Sequence, residues 1–504
     1  MRIKTKRISA FIYESTAFRF RARFPSEVES HFMIRPQARR MTVLLGVLLL
    51  MAAPFAHGDA DSWAQRPWRD EVFYVIIPGK FFNGDKSNDV MARRYGSNKE
   101  RYEGGYGGGD LAGVIQKLDY LSDLGVTTLF LYPVVQNDRQ PFGRWLAGGY
   151  RPRDYFSVDE NLGRLQTLQD LVQKAHQRGM RVILDLPLAL PGTENPLYNK
   201  QNQARGWFGP MSGYGVPCWN ADNPEVANYL IKVSKFWRDQ TQCDGFRLDS
   251  STLLSSAFWR RYVREIKSDG RSNFFLMAEV VLGPKRIGEF LTETGFDSAY
   301  DFSFLAAQEV FGRGQSTTRL RVMQKEAARS YRDCRMMCGE LDNYENKEFI
   351  KEALEPRRQR MKLALAYLLT ANRIPLLYSG DEAAVSYRTP GALFEGSNSN
   401  RAMLDYTRRL IAIRKQEPAL RRGDYQQIET PDPVCAFLRA DGDDKIIVLL
   451  NDSDRPQAIH FKAPEADWQN LDLFDLLQQK DVKPKGSAAP IVLAPFGASI
   501  LKIQ

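Results

Sequence analysis

The chain has 504 residues, 43% of them hydrophobic, and carries 70 Lys and Arg against 60 Asp and Glu, a formal charge of +10. That length suits one large domain plus a small one. Residues 1–58 hold ten basic and three acidic residues, so most of the excess charge lies there. The rest is close to balanced, which excludes nucleic acid as the partner.

Within that N-terminal part, Val43–Pro54 is an apolar run too short to span a membrane. Arg35, Arg39 and Arg40 precede it, and the small residues Ala56 and Gly58 follow. The pattern predicts a signal peptide over about 33–58, inside an N-terminal extension of residues 1–60. Translation from Met33 gives an ordinary leader. The expected location is periplasmic or secreted, with no stable membrane span after cleavage. Cys218, Cys243, Cys334, Cys338 and Cys435 are too few and odd in number for a disulfide framework. Cys218 and Cys243 either pair in an oxidising compartment or remain buried thiols. Cys334 and Cys338 lack the spacing of a zinc site.

Phe73–Ile77, ended by Pro78 and Gly79, predicts a first buried strand. An oxygen-rich stretch follows, with Asn83, Asp85, Asn88 and Asp89. It suits a hard cation such as calcium, which takes six to eight oxygen ligands, or equally an Asn/Asp turn with Asp110 capping the next helix. Leu111, Val114, Ile115, Leu118 and Leu121 predict a helix that stops at Gly125. Thr127–Pro133 reads as a second strand. Thr167 and Asp170 predict a capping box for a helix carrying Leu168, Leu171, Val172 and Ala175, closed at Gly179. Arg181–Pro187 is a third strand, and about 190–217 is an aperiodic excursion. Residues 225–238 are helical.

Cys243–Asp249 is a short strand in which Phe246 and Leu248 alternate with Arg247 and Asp249. A carboxylate beside a guanidinium stays ionised, as a nucleophile must. Phe274–Glu279 ends another apolar strand in a carboxyl, whose partial desolvation raises its pKa and equips it as an acid. Leu341–Glu345 and Pro375–Glu382 are two further acid-ended strands. From about Gly423 the pattern becomes short alternating runs such as Lys445–Leu450, which predict an antiparallel sandwich over 423–504.

Gly245-Phe246-Arg247-Leu248-Asp249 resembles the nucleophile strand of the α-amylase family of glycoside hydrolases. Other landmarks follow in family order from about Glu71 to the C-terminus. The resemblance implies an α/β fold: a (β/α)₈ TIM barrel over 61–422, with the excursion after its third strand, and a C-terminal β-sandwich. It implies retaining hydrolysis or transglycosylation of α-linked glucans or oligosaccharides. Asp249 takes the place of the nucleophile, Glu279 of the general acid/base, and Glu345 of the third carboxylate. Tyr150, in Gly149–Tyr155, matches the ring that stacks on the sugar. Arg247, Asp185, Asn343 and Tyr344 match substrate-lining positions. In cyclodextrin-active members the calcium shell near Asn83 is completed by a Gly-Gly-Asp, here Gly108, Gly109 and Asp110. Oligomeric state is not legible.

Departures gather at the sugar site. The Asn and His that follow Asp185 in the family are Ala189 and Leu190, which also removes a ligand of the calcium site common in α-amylases. The Lys-His after the nucleophile is Thr252-Leu253, and Asn-His-Asp is Asn343-Tyr344-Glu345. His31, His57, His176 and His460 are the chain's four histidines, and none is placed to substitute. Two readings follow: a glycosidase with altered specificity or low rate, or a catalytically degenerate barrel that binds a glucan or another protein.

Overall fold

In a computed structural model, residues 62–89, 107–139, 149–213, 215–342, 348–386, 391–394, 400–460, 471–483 and 490–504 are described. They lie in one compact unit, His57–Gln504. The leader and Asn343, Tyr344 and Glu345 fall outside the described residues.

Eight strands build a parallel barrel: β1 Phe73–Ile76, β2 Thr128–Leu131, β3 Arg181–Leu186, β4 Gly245–Leu248, β5 Phe275–Ala278, β6 Ser298–Ala299, β7 Cys338–Glu340 and β8 Ile374–Tyr378. Their order is β6-β5-β4-β3-β2-β1-β8-β7. A parallel bridge from Tyr300 to Cys338 joins the two ends. The sixth strand is only two residues long and carries too little periodicity to be read from sequence.

Strand alternation decides what faces where. Phe73, Val75, Phe130, Ile183, Phe275, Met277, Ile374 and Leu376 form a core inside the barrel. Tyr74, Ile76, Leu129, Val182, Leu184, Phe246, Leu248 and Leu276 belong to a second core with the surrounding helices. Continuing that parity beyond the interior core puts Asp185, Arg247, Asp249 and Glu279 on the inward side at the strands' C-terminal ends. Such barrels keep their chemistry there. Gly245 starts β4 because a Cβ there would lie 2.5 Å from Phe275 O on the neighbouring strand.

The C-terminal part is a six-stranded antiparallel sheet, β9 Asp424–Ile428, β10 Val434–Asp441, β11 Asp444–Asn451, β12 Leu473–Asp475, β13 Lys480–Lys483 and β14 Ala498–Ile503, in the order β9-β10-β11-β14-β12-β13. A second ladder, Gln457–Ile459 with Ile491–Leu493, packs with it around Val434, Ile447, Leu449 and Leu501. No described helix is long and apolar enough to cross a membrane.

Several local expectations are corrected. The predicted capping box does not form: the helix Leu165–His176 begins before Thr167, and its N-cap, Arg164, makes no side-chain cap bond. Asp159 instead organises the approach, accepting from Asn161 N and, through its carbonyl, from Leu162 N. The helix predicted from Leu111 is two, Leu111–Gln116 and Leu118–Leu124, broken at Lys117 and ended by Gly125 at φ 95°. Cys218 and Cys243 are free thiols. The seventh strand stops at Glu340. At the end of the helix Leu165–His176, His176 Nε2 lies 2.9 Å from Asp244 Oδ2.

Candidate active site

Arg247 is the hub. Its Nη1 donates to both oxygens of Asp185, at 3.0 Å each, and to Asp249 Oδ1 at 2.7 Å. Its Nη2 donates to Glu279 Oε1. Strand register explains the first contact, since Asp185 pairs with Arg247 across β3 and β4. Asp249 and Glu279 lie one step further up. The side chains of Arg247 and Asp185 are 4% and 0% exposed, whereas those of Asp249 and Glu279 retain 13% and 14%. The two reacting groups named from sequence therefore keep an opening, and the groups that hold them are sealed.

The backbone completes the grip. Ser250 adopts φ 48°, a strained conformation for a residue with a side chain. Its N–H donates to Glu279 Oε2 at 2.8 Å, and Ser251 N donates to Glu279 O at 3.1 Å. Burial pushes Glu279 up to about 8; Arg247 opposes the shift and the Asp249 charge adds to it. Burial also raises Asp185 to about 7, against the pull of Arg247. Glu279 thus holds a proton at neutral pH, as a general acid needs.

Tyr150 joins this set through its hydroxyl, which donates to Asp185 Oδ2 at 2.6 Å. Its ring and that of Tyr300 lie 5.7 and 5.5 Å from the Arg247 guanidinium, within cation–π range. Tyr300 was not singled out from sequence. The only available signal was its place just after the two-residue sixth strand. Ala189 and Leu190, where the family pattern has polar residues, are buried in the outer core. Apolar packing has filled that part of the wall.

Asp342 and Asp381 form a separate, fully buried pair joined by a hydrogen bond. Burial raises Asp342 to about 6 and Asp381 further. Asp342 Oδ1 also accepts from Phe349 N at 2.6 Å, tying together the two sides of residues 343–347. Glu382 accepts from Tyr74 and Tyr120 hydroxyls and from Gly380 N, a structural role.

At the expected cation loop, Asn83, Asn88, Asp89 and Asp110 come together, but the Asp85 carboxylate does not join them. It turns outward to accept from Ser87 N and Oγ. Asn83 Nδ2 donates to Asp89, and Asn88 Nδ2 to Asp110. Asp110 also caps the helix at Leu111 by accepting from Gly113 N. Gly108, at φ 82°, lies so close that a Cβ would sit 2.7 Å from Asn83 Nδ2. The Oδ1 atoms of Asn83 and Asn88 are buried without a hydrogen-bond partner. No three His, Cys, Asp or Glu side chains among the described residues group as metal ligands, so a cation here would depend on these amide oxygens.

A (β/α)₈ barrel holding two partly exposed carboxylates on one guanidinium has the layout of a two-carboxylate glycosidase. Comparison with known proteins gives the family. The α-amylase catalytic domain matches residues 75–213 and 207–389, and the maltogenic amylase C-terminal domain matches 425–500. Cyclomaltodextrinase from Thermoanaerobacter pseudethanolicus is 28% identical over 88% of this chain and 80% of its own. Neopullulanase 2 from Thermoactinomyces vulgaris is 27% identical over 87% and 78%. Among solved structures, an Anoxybacillus α-amylase superposes with a TM-score of 0.78 at 29% identity, covering 87% of this chain and 98% of that one. The chain belongs to the α-amylase family of glycoside hydrolases.

Proposed function

We propose that this protein hydrolyses or transfers α-linked glucans or oligosaccharides with retention, using Asp249 as nucleophile and Glu279 as general acid/base. The observation that carries the reading is the single Arg247 guanidinium bonded to both carboxylates. That arrangement fits a retaining pair, about 5–5.5 Å apart, better than the wider inverting one. In the first step Asp249 bonds to the anomeric carbon while the glycosidic C–O bond breaks, and the Glu279 proton goes to the leaving oxygen. In the second, an incoming water or sugar hydroxyl gives its proton to Glu279. Its oxygen takes the anomeric carbon, and the Asp249 carboxylate is released.

Tyr150, its hydroxyl braced by the sealed Asp185, holds the sugar being cleaved. Asn343, Tyr344 and Glu345 are assigned to the same pocket on the family resemblance. Glu345→Asp tests that assignment: activity falls if substrate placement has adjusted to the longer side chain, and stays unchanged if the position is idle. Calcium on Asn83, Asn88, Asp89 and Asp110 belongs to the same reading, supported by the two partnerless amide oxygens. It would supply stability, as a cation bound only by the folded loop does. Export completes the reading, on the leader pattern at 33–58. An exported product should begin between Ala56 and Ala60, whereas one retaining Val43–Pro54 would contradict it.

The apolar filling at Ala189 and Leu190 favours a second reading, a barrel that binds glucan without turnover. Reducing-sugar release from a panel of α-glucans separates the two. The enzyme reading expects product from wild type and none from Asp249→Asn. The binding reading expects no product from either and equal glucan affinity.

A further inference from the structure

Seven large apolar side chains are strongly exposed among the described residues. Three of them, Leu253 (41%), Val281 (61%) and Leu282 (45%), follow the two reacting carboxylates by no more than four residues. Single exposed apolar residues are ordinary, but a concentration beside a reaction centre is not. The two loops that carry them are bound together. β4 and β5 pair up to Leu248 and Ala278, Ser250 N donates to Glu279 Oε2, and Ser251 N donates to Glu279 O. Leu253 closes the short turn Ser251–Leu253, where its N–H donates to Ser250 O. No charged residue occurs from Ser250 to Trp259 or from Val280 to Pro284, and the carboxylate that another element brings to the first loop, Asp222, already accepts from Ser255 Oγ at 2.6 Å. The Ser251 hydroxyl is already engaged with Leu248 O at 2.8 Å.

Position gives this surface its occupant. Glu279 delivers its proton to the oxygen between the sugar and the leaving group, so the leaving group lies beside Glu279 and the residues just after it. Tyr150, between β2 and the strand Pro152–Val158 and braced by Asp185, holds the other side. A second glucose next to Leu253, Val281 and Leu282 would present hydroxyls to a surface poor in partners. An alkyl or aryl group would shed water there. We propose that the leaving-group side of this site takes an apolar aglycone or acceptor alcohol in preference to a further glucose unit. The inference rests on the assignment of Glu279 as the acid.

The test uses alkyl 1-thio-α-glucosides, which resist cleavage, from methyl to octyl, with dissociation constants measured by calorimetry. Each buried methylene should tighten binding about three- to fourfold until the surface is covered. In Leu253→Asn/Val281→Asn the gain per methylene should shrink towards onefold, with the melting temperature unchanged because both positions are exposed. A flat wild-type series, or an undiminished slope in the variant, overturns the proposal. Turnover of the matching O-glucosides, with Asp249→Asn as control, reports separately on the reaction. Absence of Asp249-dependent turnover would overturn the enzyme reading while the binding series still decides the apolar site.

Discussion

Replacing Glu279 with Gln keeps the shape of the side chain and removes its titration, so the change isolates what the buried charge does to stability. The folded-state pKa is about 8 against a usual 4.5. Between those pH values the folded protein keeps a proton that the unfolded chain has released. Stability therefore falls as pH rises through that window. At 1.36 kcal/mol per pKa unit the full effect is at most about 5 kcal/mol, and coupling to the titration of Asp185 reduces it to roughly 2–4. Whatever the amide loses in hydrogen bonds at pH 5 is a constant that cancels in the comparison. The melting temperature of Glu279→Gln relative to wild type should thus climb between pH 5 and pH 9, by about 2–4 °C. Thermal unfolding of both proteins at fixed scan rate across that range measures it. A difference that stays constant, or that falls with pH, would refute the claim that Glu279 is held protonated by burial.

The same pKa governs catalysis: kcat/KM on an α-glucan should decline on the alkaline side with a midpoint near 8, and a flat profile from pH 6 to 10 would contradict it. Arg247→Met leaves Asp185, Asp249 and Glu279 without their shared cation, and urea unfolding should show a loss of about 3–5 kcal/mol. A loss below about 1 kcal/mol would make that hub dispensable. Chelation should lower the melting temperature and calcium should restore it, and Asn83→Ala/Asn88→Ala should abolish that response. A melting temperature indifferent to chelator leaves an ordinary turn.

The strands were legible because buried parallel strands announce themselves as short apolar runs, and alternation alone places Arg247 and Asp249 opposite Phe246 and Leu248; their closure into a barrel was implied by the resemblance of Gly245–Asp249 and its companions to the α-amylase family. Glu279 was legible for the same reason, as a carboxyl ending an apolar strand. What the pattern missed depends on contacts between distant segments. Arg247 reaching Asp185 across β3 and β4 is a matter of register. Tyr300 follows a strand too short to have a period. The strained Ser250 N–H that grips Glu279 is a backbone conformation which an ordinary serine does not advertise. Helix starts failed where a tertiary turn, built on Asp159, displaced the local Thr167 signal. Asp85 was counted as a ligand by spacing, yet its nearest competitor, Ser87 two residues on, captured it.

The stereochemistry of the first-formed product tests the central claim most directly. Proton NMR of a short maltooligosaccharide digest, recorded before mutarotation, should show the α-anomer appearing first with wild type and no product with Asp249→Asn. Appearance of the β-anomer first, or undiminished product from Asp249→Asn, would contradict a retaining reaction in which Asp249 is the nucleophile and Glu279 its acid/base partner.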